Sequence, residues 1–180
     1  MNTPTNAHVS ILGICGSLQA NSKNLALLQT AAASAPAGTS LVIFDGIRDL
    51  PHFNPDIGPA DSVRRWQQAL THSDALLIAT PEYAFSLPGT LKNAIDWVIG
   101  SGELEGKVVA TTTAVARPER GRRGLQALRE PLSAVRASIV GGEPIVSGPD
   151  FDRDVHALLL AIVAAVRAAR GDLEGIDPTK

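Results

Sequence analysis

Short apolar runs alternate five times with stretches of helical period along this chain, and few folds satisfy that alternation. Residues 9–14 form the first run, which stops at Gly16-Ser17 and reads as a strand buried on both faces, as parallel strands are. Ser22 is placed to cap a helix in which Leu25, Leu28 and Ala32 recur at helical spacing until Pro36 and Gly38 end it. Residues 41–44 repeat the strand, and after a Pro- and Asp-containing stretch over 48–59 a helix is expected over 61–71, with Asp61 as its cap. Residues 75–79 make a third buried strand. Pro88 then falls where a first helical turn tolerates proline, and Leu91, Ala94, Ile95 and Val98 form an apolar stripe closed by Gly100 and Gly102. A fourth strand is expected over 108–113, followed by a basic loop and a helix over 122–135 that Pro131 is placed to interrupt. Ile139-Val140 and Ile145-Val146 flank Gly141-Gly142 in a fifth strand with a bulge or bend, and a last helix over 154–170 ends at Gly171.

Strands and helices in this alternation, joined by short connections, predict an α/β fold: a doubly wound, five-stranded parallel sheet with helices on both faces. At 180 residues, with no linker, internal repeat or low-complexity tract, the chain is expected to form one domain over 1–180, with flexible tails at 1–7 and 176–180. A net charge of −2 provides no broad field for nucleic acid or an anionic membrane, so the expected partner is a small molecule. The N-terminal residues lack a basic start and apolar run, and residues 157–166 are too short to span a bilayer, so no targeting or membrane segment is expected. The single cysteine, Cys15, allows neither an internal disulfide nor a cysteine cluster for zinc, which points to the cytoplasm. His8, His52, His72 and His156 have no metal-ligand spacing, and no metal is expected.

Two loops stand out. The first, Gly16-Ser17-Leu18-Gln19-Ala20-Asn21-Ser22-Lys23-Asn24, joins a buried strand to a helix start, where unpaired backbone N–H groups and the Ser17, Ser22 and Asn24 side chains suit an anion. A Gly turn followed by an ordinary helix cap describes the same residues equally well. The loop is neither the dinucleotide GxGxxG nor the P-loop. The second, Pro81-Glu82-Tyr83-Ala84-Phe85-Ser86-Leu87-Pro88-Gly89, sets two aromatic residues between prolines, a surface able to lie against a planar ring or, alternatively, to be tucked into the core. In a parallel sheet of the flavodoxin order 2-1-3-4-5, ligands sit at the carboxyl ends of the first and third strands, and both loops fall at those ends.

Gly16-Ser17-Leu18 with Ser22 and Asn24, then Pro81-Glu82-Tyr83 and the long run from Ser86-Leu87-Pro88-Gly89 through Asn93-Ala94-Ile95-Asp96-Trp97, resemble the NAD(P)H-dependent FMN reductases, including their quinone, chromate and azo-dye reductase relatives. The resemblance covers residues 9–146 and includes the Leu50-Pro51 to Asn54-Pro55-Asp56 stretch. It implies that FMN is the cofactor, NADPH or NADH the hydride donor, and a small molecule such as a quinone, free flavin, azo dye or metal oxyanion the acceptor. By the same resemblance Ser17, Ser22 and Asn24 would bind the FMN phosphate and Pro81, Glu82 and Tyr83 would line the isoalloxazine ring, with Gly16, Gln19, Lys23, Ala84, Ser86 and Thr113 also in the cofactor site. The flavin carries the chemistry in this family, so no catalytic side chain is expected. A homodimer or homotetramer is also implied, with Trp97 either an aromatic anchor at the subunit contact or a core residue.

Three places depart from the family pattern: Gln19 stands where arginine is usual, Ala84 where asparagine is usual, and the loop from Thr113 to Pro118 is poorer in glycine. A non-enzymatic flavodoxin-like module, binding flavin or carrying electrons, is the alternative. Cys15 ends the first strand as a phosphatase nucleophile would, but Asn21 occupies the place of that motif's arginine, and Cys15 reads as a small buried hydrophobe. Arg117, Arg120, Arg122 and Arg123 would meet donor phosphates, or form a solvated basic loop with Glu119 as internal partner.

Overall fold

A computed structural model describes residues 8–174. Both expected tails, 1–7 and 176–180, lie outside the described residues. In chain order the elements are β1 (Val9–Cys15), α1 (Lys23–Ala33), β2 (Thr39–Phe44), a short 3-10 turn (Gly46–Asp49), α2 (Asp61–Thr71), β3 (Ala75–Ala79), α3 (Gly89–Asp96), β4 (Val108–Val115), α4 (Arg122–Ala134), β5 (Ser138–Val146) and α5 (Phe151–Glu174). The strands form one sheet in the order β2-β1-β3-β4-β5, and every neighbouring pair is parallel. The order and the helical covering are those expected of the flavodoxin-like fold.

Alternate residues of the central strands feed two cores. Ile11, Leu77 and Ala110 pack with Leu27, Leu28, Leu159 and Ile162 beneath α1 and α5. Leu12, Leu76 and Val109 pack with Trp66, Leu91 and Leu128 beneath α2, α3 and α4. Because both faces are covered, all residues of β3 and β4 are buried, which explains why these strands read as unbroken apolar runs.

Local chemistry moves several boundaries. Ser22 caps α1 as expected, its hydroxyl accepting from the Asn24 N–H at 3.2 Å. Asp61 does not cap α2. Ala60 occupies that position without a side-chain bond, and Asp61 lies in the first turn, paired with Arg64 at 2.5 Å. Pro88 is the N-cap of α3 rather than a residue of its first turn, an extended position that proline's fixed φ fills readily. Pro131 does not interrupt α4, which continues to Ala134 and takes a bond from the Val135 N–H to the Pro131 carbonyl at 3.2 Å. Gly171 does not end α5, which also begins three residues earlier than the apolar period indicates. The bulge expected at Gly141-Gly142 is present: the register passes from Thr111↔Gly141 to Thr113↔Pro144, and both glycines have positive φ, 70° and 103°.

The candidate site at the ends of the first and third strands

The sheet's winding reverses between β1 and β3, and their carboxyl ends leave a crevice over the sheet edge. Gly16 closes its floor. Its N–H donates to the Ala79 carbonyl at 2.9 Å, and a Cβ at this position would stand 2.2 Å from Thr80 Oγ1, so only glycine permits the two strands to end this close together. Beyond Gly16 the chain turns, with the Ser22 N–H bonded to the Gln19 carbonyl at 3.2 Å, and enters α1.

The polar groups of this first loop are buried and directional. Ser22 Oγ accepts from the Asn24 N–H and lies 3.8 Å from the Cys15 thiol, so its acceptor positions face inward and its own O–H is left as a donor. Asn24 is buried, and its side-chain carbonyl accepts from the Ala114 N–H at 2.8 Å, tying α1 to β4 and leaving the amide NH2 as the donating end. Ser17 Oγ accepts from the Gln19 N–H at 3.3 Å and lies 3.5 Å from the Tyr83 hydroxyl, which joins the two loops. The Cys15 thiol donates to the Ser17 carbonyl at 3.3 Å and is buried, in keeping with a structural residue. Gln19 and Lys23 are exposed.

In the second loop, Tyr83 and Ser86 exchange backbone bonds at 3.0 and 2.9 Å around a two-residue turn, Ala84-Phe85. Both turn residues take left-handed conformations, φ 50° and 61°, as a tight primed turn requires. The turn thrusts its aromatics outward: Tyr83 is 51% exposed and Phe85 67%, which rules out the reading that they are tucked into the core. Glu82 points the other way. Its Oε2 accepts from the Arg123 and Gly124 N–H groups at 2.9 and 3.1 Å, capping the start of α4, whose own N-cap, Gly121, has no side chain to offer. A Cβ on Gly124 would stand 3.0 Å from Glu82 Cα, so this glycine allows the close approach. The Arg123 guanidinium lies over the Phe85 ring, 4.3 Å from its centroid.

The third wall is the end of β4, which runs two residues beyond its expected stop, and the loop that follows. Together these elements enclose a cleft of about 900 Å3. Of the expected site residues, Lys23, Asn24, Pro81, Glu82 and Thr113 line it, while Gly16, Ser17, Gln19, Ser22, Tyr83, Ala84 and Ser86 lie outside its wall. Glu82 contributes its backbone and stem, since its carboxylate is engaged with α4. Sequence reasoning missed Ala114, Val115 and Ala116 because the strand was read as ending at Thr113. It also left Phe85 out of the site, although the two-residue turn carries that ring to the cleft. Of the arginine cluster, Arg117, Arg120 and Arg123 face the cleft, whereas Arg122 is turned to Glu143 at 2.6 Å. Glu119 faces the cleft as well and, among the described residues, forms no ion pair with these arginines.

Trp97 is buried, and its indole N–H donates to the Pro51 carbonyl at 2.7 Å, with Phe53 edge-on at 5.2 Å. Asn93 donates to the same carbonyl and accepts from the Phe53 N–H. The end of the long second motif thus pins the loop after β2, and of the two readings of Trp97 the core one is correct.

Residues 9–150 match the family described as NADPH-dependent FMN reductase. The chain is 45% identical over 92 residues to the NAD(P)H-dependent FMN reductase of Pseudomonas aeruginosa, a stretch covering 49% of each protein. It is 30% identical over 146 residues to the quinone reductase of Escherichia coli, covering 78% of each. The chain thus spans about half the length of the first curated relatives it matches and more than three quarters of the E. coli protein. Among solved structures, the flavoenzyme FerB of Paracoccus denitrificans, an NAD(P)H:acceptor oxidoreductase, superposes with a TM-score of 0.79 at 25% identity, over 89% of this chain and 98% of that one. A WrbA-like flavodoxin of Agrobacterium tumefaciens shares the fold, with a TM-score of 0.61 at 17% identity over 92% and 99%.

Proposed function

This chain belongs to the NADPH-dependent FMN reductase family, and from that premise we propose that it is an FMN-dependent oxidoreductase that passes a hydride from NAD(P)H to bound FMN and then electrons to a small acceptor such as a quinone. The observation carrying this reading is the meeting of the two loops at the carboxyl ends of β1 and β3, with Ser17 and Tyr83 side by side. The donor set suits a phosphate monoester. The Ser22 hydroxyl and the Asn24 amide stand at the start of α1, whose first N–H groups carry partial positive charge, exposed Lys23 adds a full one, and the Ser17 hydroxyl lies in the loop leading to it. Pro81, the exposed Tyr83 ring and the apolar end of β4 at Ala114 and Val115 suit a flat aromatic ring beside it.

When bound, the flavin supplies the redox chemistry, taking up the hydride and returning two electrons to the acceptor. This chain's residues do the rest by binding and orientation. Ser17, Ser22 and Asn24 fix the phosphate, the Tyr83-Ser86 turn holds the aromatic wall, and the Glu82 cap fixes the opposite rim. Purification or reconstitution with FMN should give a yellow protein that oxidises NAD(P)H in the presence of a quinone. Failure to bind FMN would overturn the reading, and binding without NAD(P)H oxidation would favour the electron carrier. The protein is further proposed to be a cytoplasmic homodimer or homotetramer; a monomer by light scattering at micromolar concentration would count against the assembly. Among the described residues no helix is long and apolar enough to cross a membrane.

A further inference from the structure

We propose that Arg117 and Arg120 bind the phosphate groups of the dinucleotide hydride donor, as a second anion site in the cleft on a different element from the α1 start. The proposal rests on the reading that the cleft holds FMN and meets such a donor. Four cations, Lys23, Arg117, Arg120 and Arg123, face the cleft against two carboxylates, Glu82 and Glu119. The Glu82 carboxylate is held by the backbone N–H groups of Arg123 and Gly124 and, among the described residues, makes no ion pair with an arginine side chain, so the groups facing the cleft keep an excess of positive charge.

The arginines divide by what they touch. Arg122 is bound to Glu143 and the Pro118 carbonyl, and Arg123 lies on the Phe85 ring. Among the described residues Arg117 and Arg120 form no ion pair or side-chain hydrogen bond, although both face the cleft. A bond from the Arg120 N–H to the Arg117 carbonyl, 3.2 Å, makes a turn that carries both side chains.

This turn is held at its exit. Gly121 is left-handed, φ 83°, and sits so close to Thr113 that a Cβ would stand 2.4 Å from Thr113 Cγ2, while Glu82 fixes the first turn of α4 behind it. With the loop backbone held, binding an anion has to order only the two side chains and not the chain that carries them. Guanidinium geometry matches phosphate oxygens in bidentate fashion. At about 900 Å3 the cleft is near the upper end of small-molecule pockets, which leaves room for part of a second ligand beside a mononucleotide.

The test uses redox-inert fragments of the donor, ADP-ribose and its 2′-phosphate, titrated calorimetrically into the FMN-loaded protein, with FMN titrated separately into the apo-protein. The double variant Arg117→Ala/Arg120→Ala is expected to bind the phosphorylated fragment about ten- to a hundred-fold more weakly, with FMN affinity unchanged. Loss confined to the phosphorylated fragment would assign the arginines to the 2′-phosphate, and equal loss for both fragments would assign them to the diphosphate; either supports the proposal. Arg136→Gln, which removes one positive charge beyond the far end of α4, should change nothing.

Unchanged affinity for both fragments would overturn the site. A parallel loss of FMN affinity would also overturn it, by giving the loop to the mononucleotide phosphate, as would a loss in Arg136→Gln in proportion to its single charge, by reducing the effect to net charge. If the wild-type protein binds no FMN, the proposed function fails instead, and the same fragment titrations on the apo-protein still decide the arginine site.

Discussion

Single residues at the site do two jobs, and the structure separates them. Ser22 Oγ caps α1 through the Asn24 N–H while its O–H remains available to a phosphate. Ser22→Ala should therefore weaken FMN binding about ten- to a hundred-fold, as loss of a charge-assisted bond does, and also lower the stability of the apo-protein by about 1 kcal/mol. Ser17→Ala should reproduce the first effect with little of the second, since its bond to the Gln19 N–H lies within a loop rather than at a helix start. Flavin titration and thermal melting of the two apo-proteins check both expectations; unchanged affinity in both variants would remove the phosphate from this loop. Ala84 illustrates the opposite case, a residue that its backbone does not favour. At φ 50° it lacks the side-chain oxygen with which asparagine tolerates the left-handed region. Ala84→Gly should stabilise the protein by about 0.5–1 kcal/mol, read as a higher midpoint in urea. A lower midpoint would show that the turn is not under this strain.

Elements were legible wherever their signal is local. The apolar runs marked all five strands, and Ser22, Pro36 and Gly38 bracketed α1, because burial on both faces and helix capping act within a few residues. What the sequence did not disclose depends on distant partners. β4 continues through Val115 because Ala114 and Val115 find Ile145 and Val146 across the bulge, while the Ala114 N–H finds Asn24. α5 passes through Gly171 because glycine in a helix costs only about 1 kcal/mol and nothing there demands a turn. At the site, topology placed the two loops correctly, but the destination of the Glu82 carboxylate could not be read from a chain in which its partners lie 41 and 42 residues away. That contact makes its own prediction for α4. Glu82→Ala leaves two N–H groups without their acceptor and removes a negative charge from a helix start, which should cost about 1–2 kcal/mol in a urea titration. Slowed amide exchange at Arg123 and Gly124 should be lost in the same variant. Retained protection there would mean that the cap is not what holds the start of α4.

Across the whole molecule, the two ends of the sheet have different tasks. The carboxyl end carries the cleft, whereas the amino end carries a polar cluster that fastens the first strand to the last helix. Asp74, just before β3, accepts from the Ser10 N–H and hydroxyl at 2.8 and 2.9 Å and from Arg170 of α5 at 2.6 Å, a contact spanning 96 residues. Lys107 faces the same region, its ammonium donating to the Ser73 carbonyl at 2.5 Å and held below its ordinary pKa by burial, against the pull of Asp74. Burial alone would raise the Asp74 pKa, but the two Ser10 bonds and the Arg170 guanidinium outweigh it and hold the carboxyl below 3.8. A folded-state pKa below the unfolded one means that the carboxylate's stabilisation is complete above pH 3.8 and is lost as the pH falls through the folded value. Asp74→Asn should cost about 1–2 kcal/mol at neutral pH, toward the low end for charged hydrogen bonds because the ion pair is partly solvated. The stability gap between wild type and variant should stay constant from pH 7 to about 5 and close only in the acid range below the ordinary carboxylate pKa. Because the cluster lies at the opposite end of the strands from the cleft, FMN affinity should not change in this variant. Urea titrations across that pH range, with flavin titration at neutral pH, check both halves. A gap that persists undiminished at pH 3 would show that the Asp74 charge is not what the cluster uses, and a loss of flavin affinity would show that the two ends of the sheet are coupled.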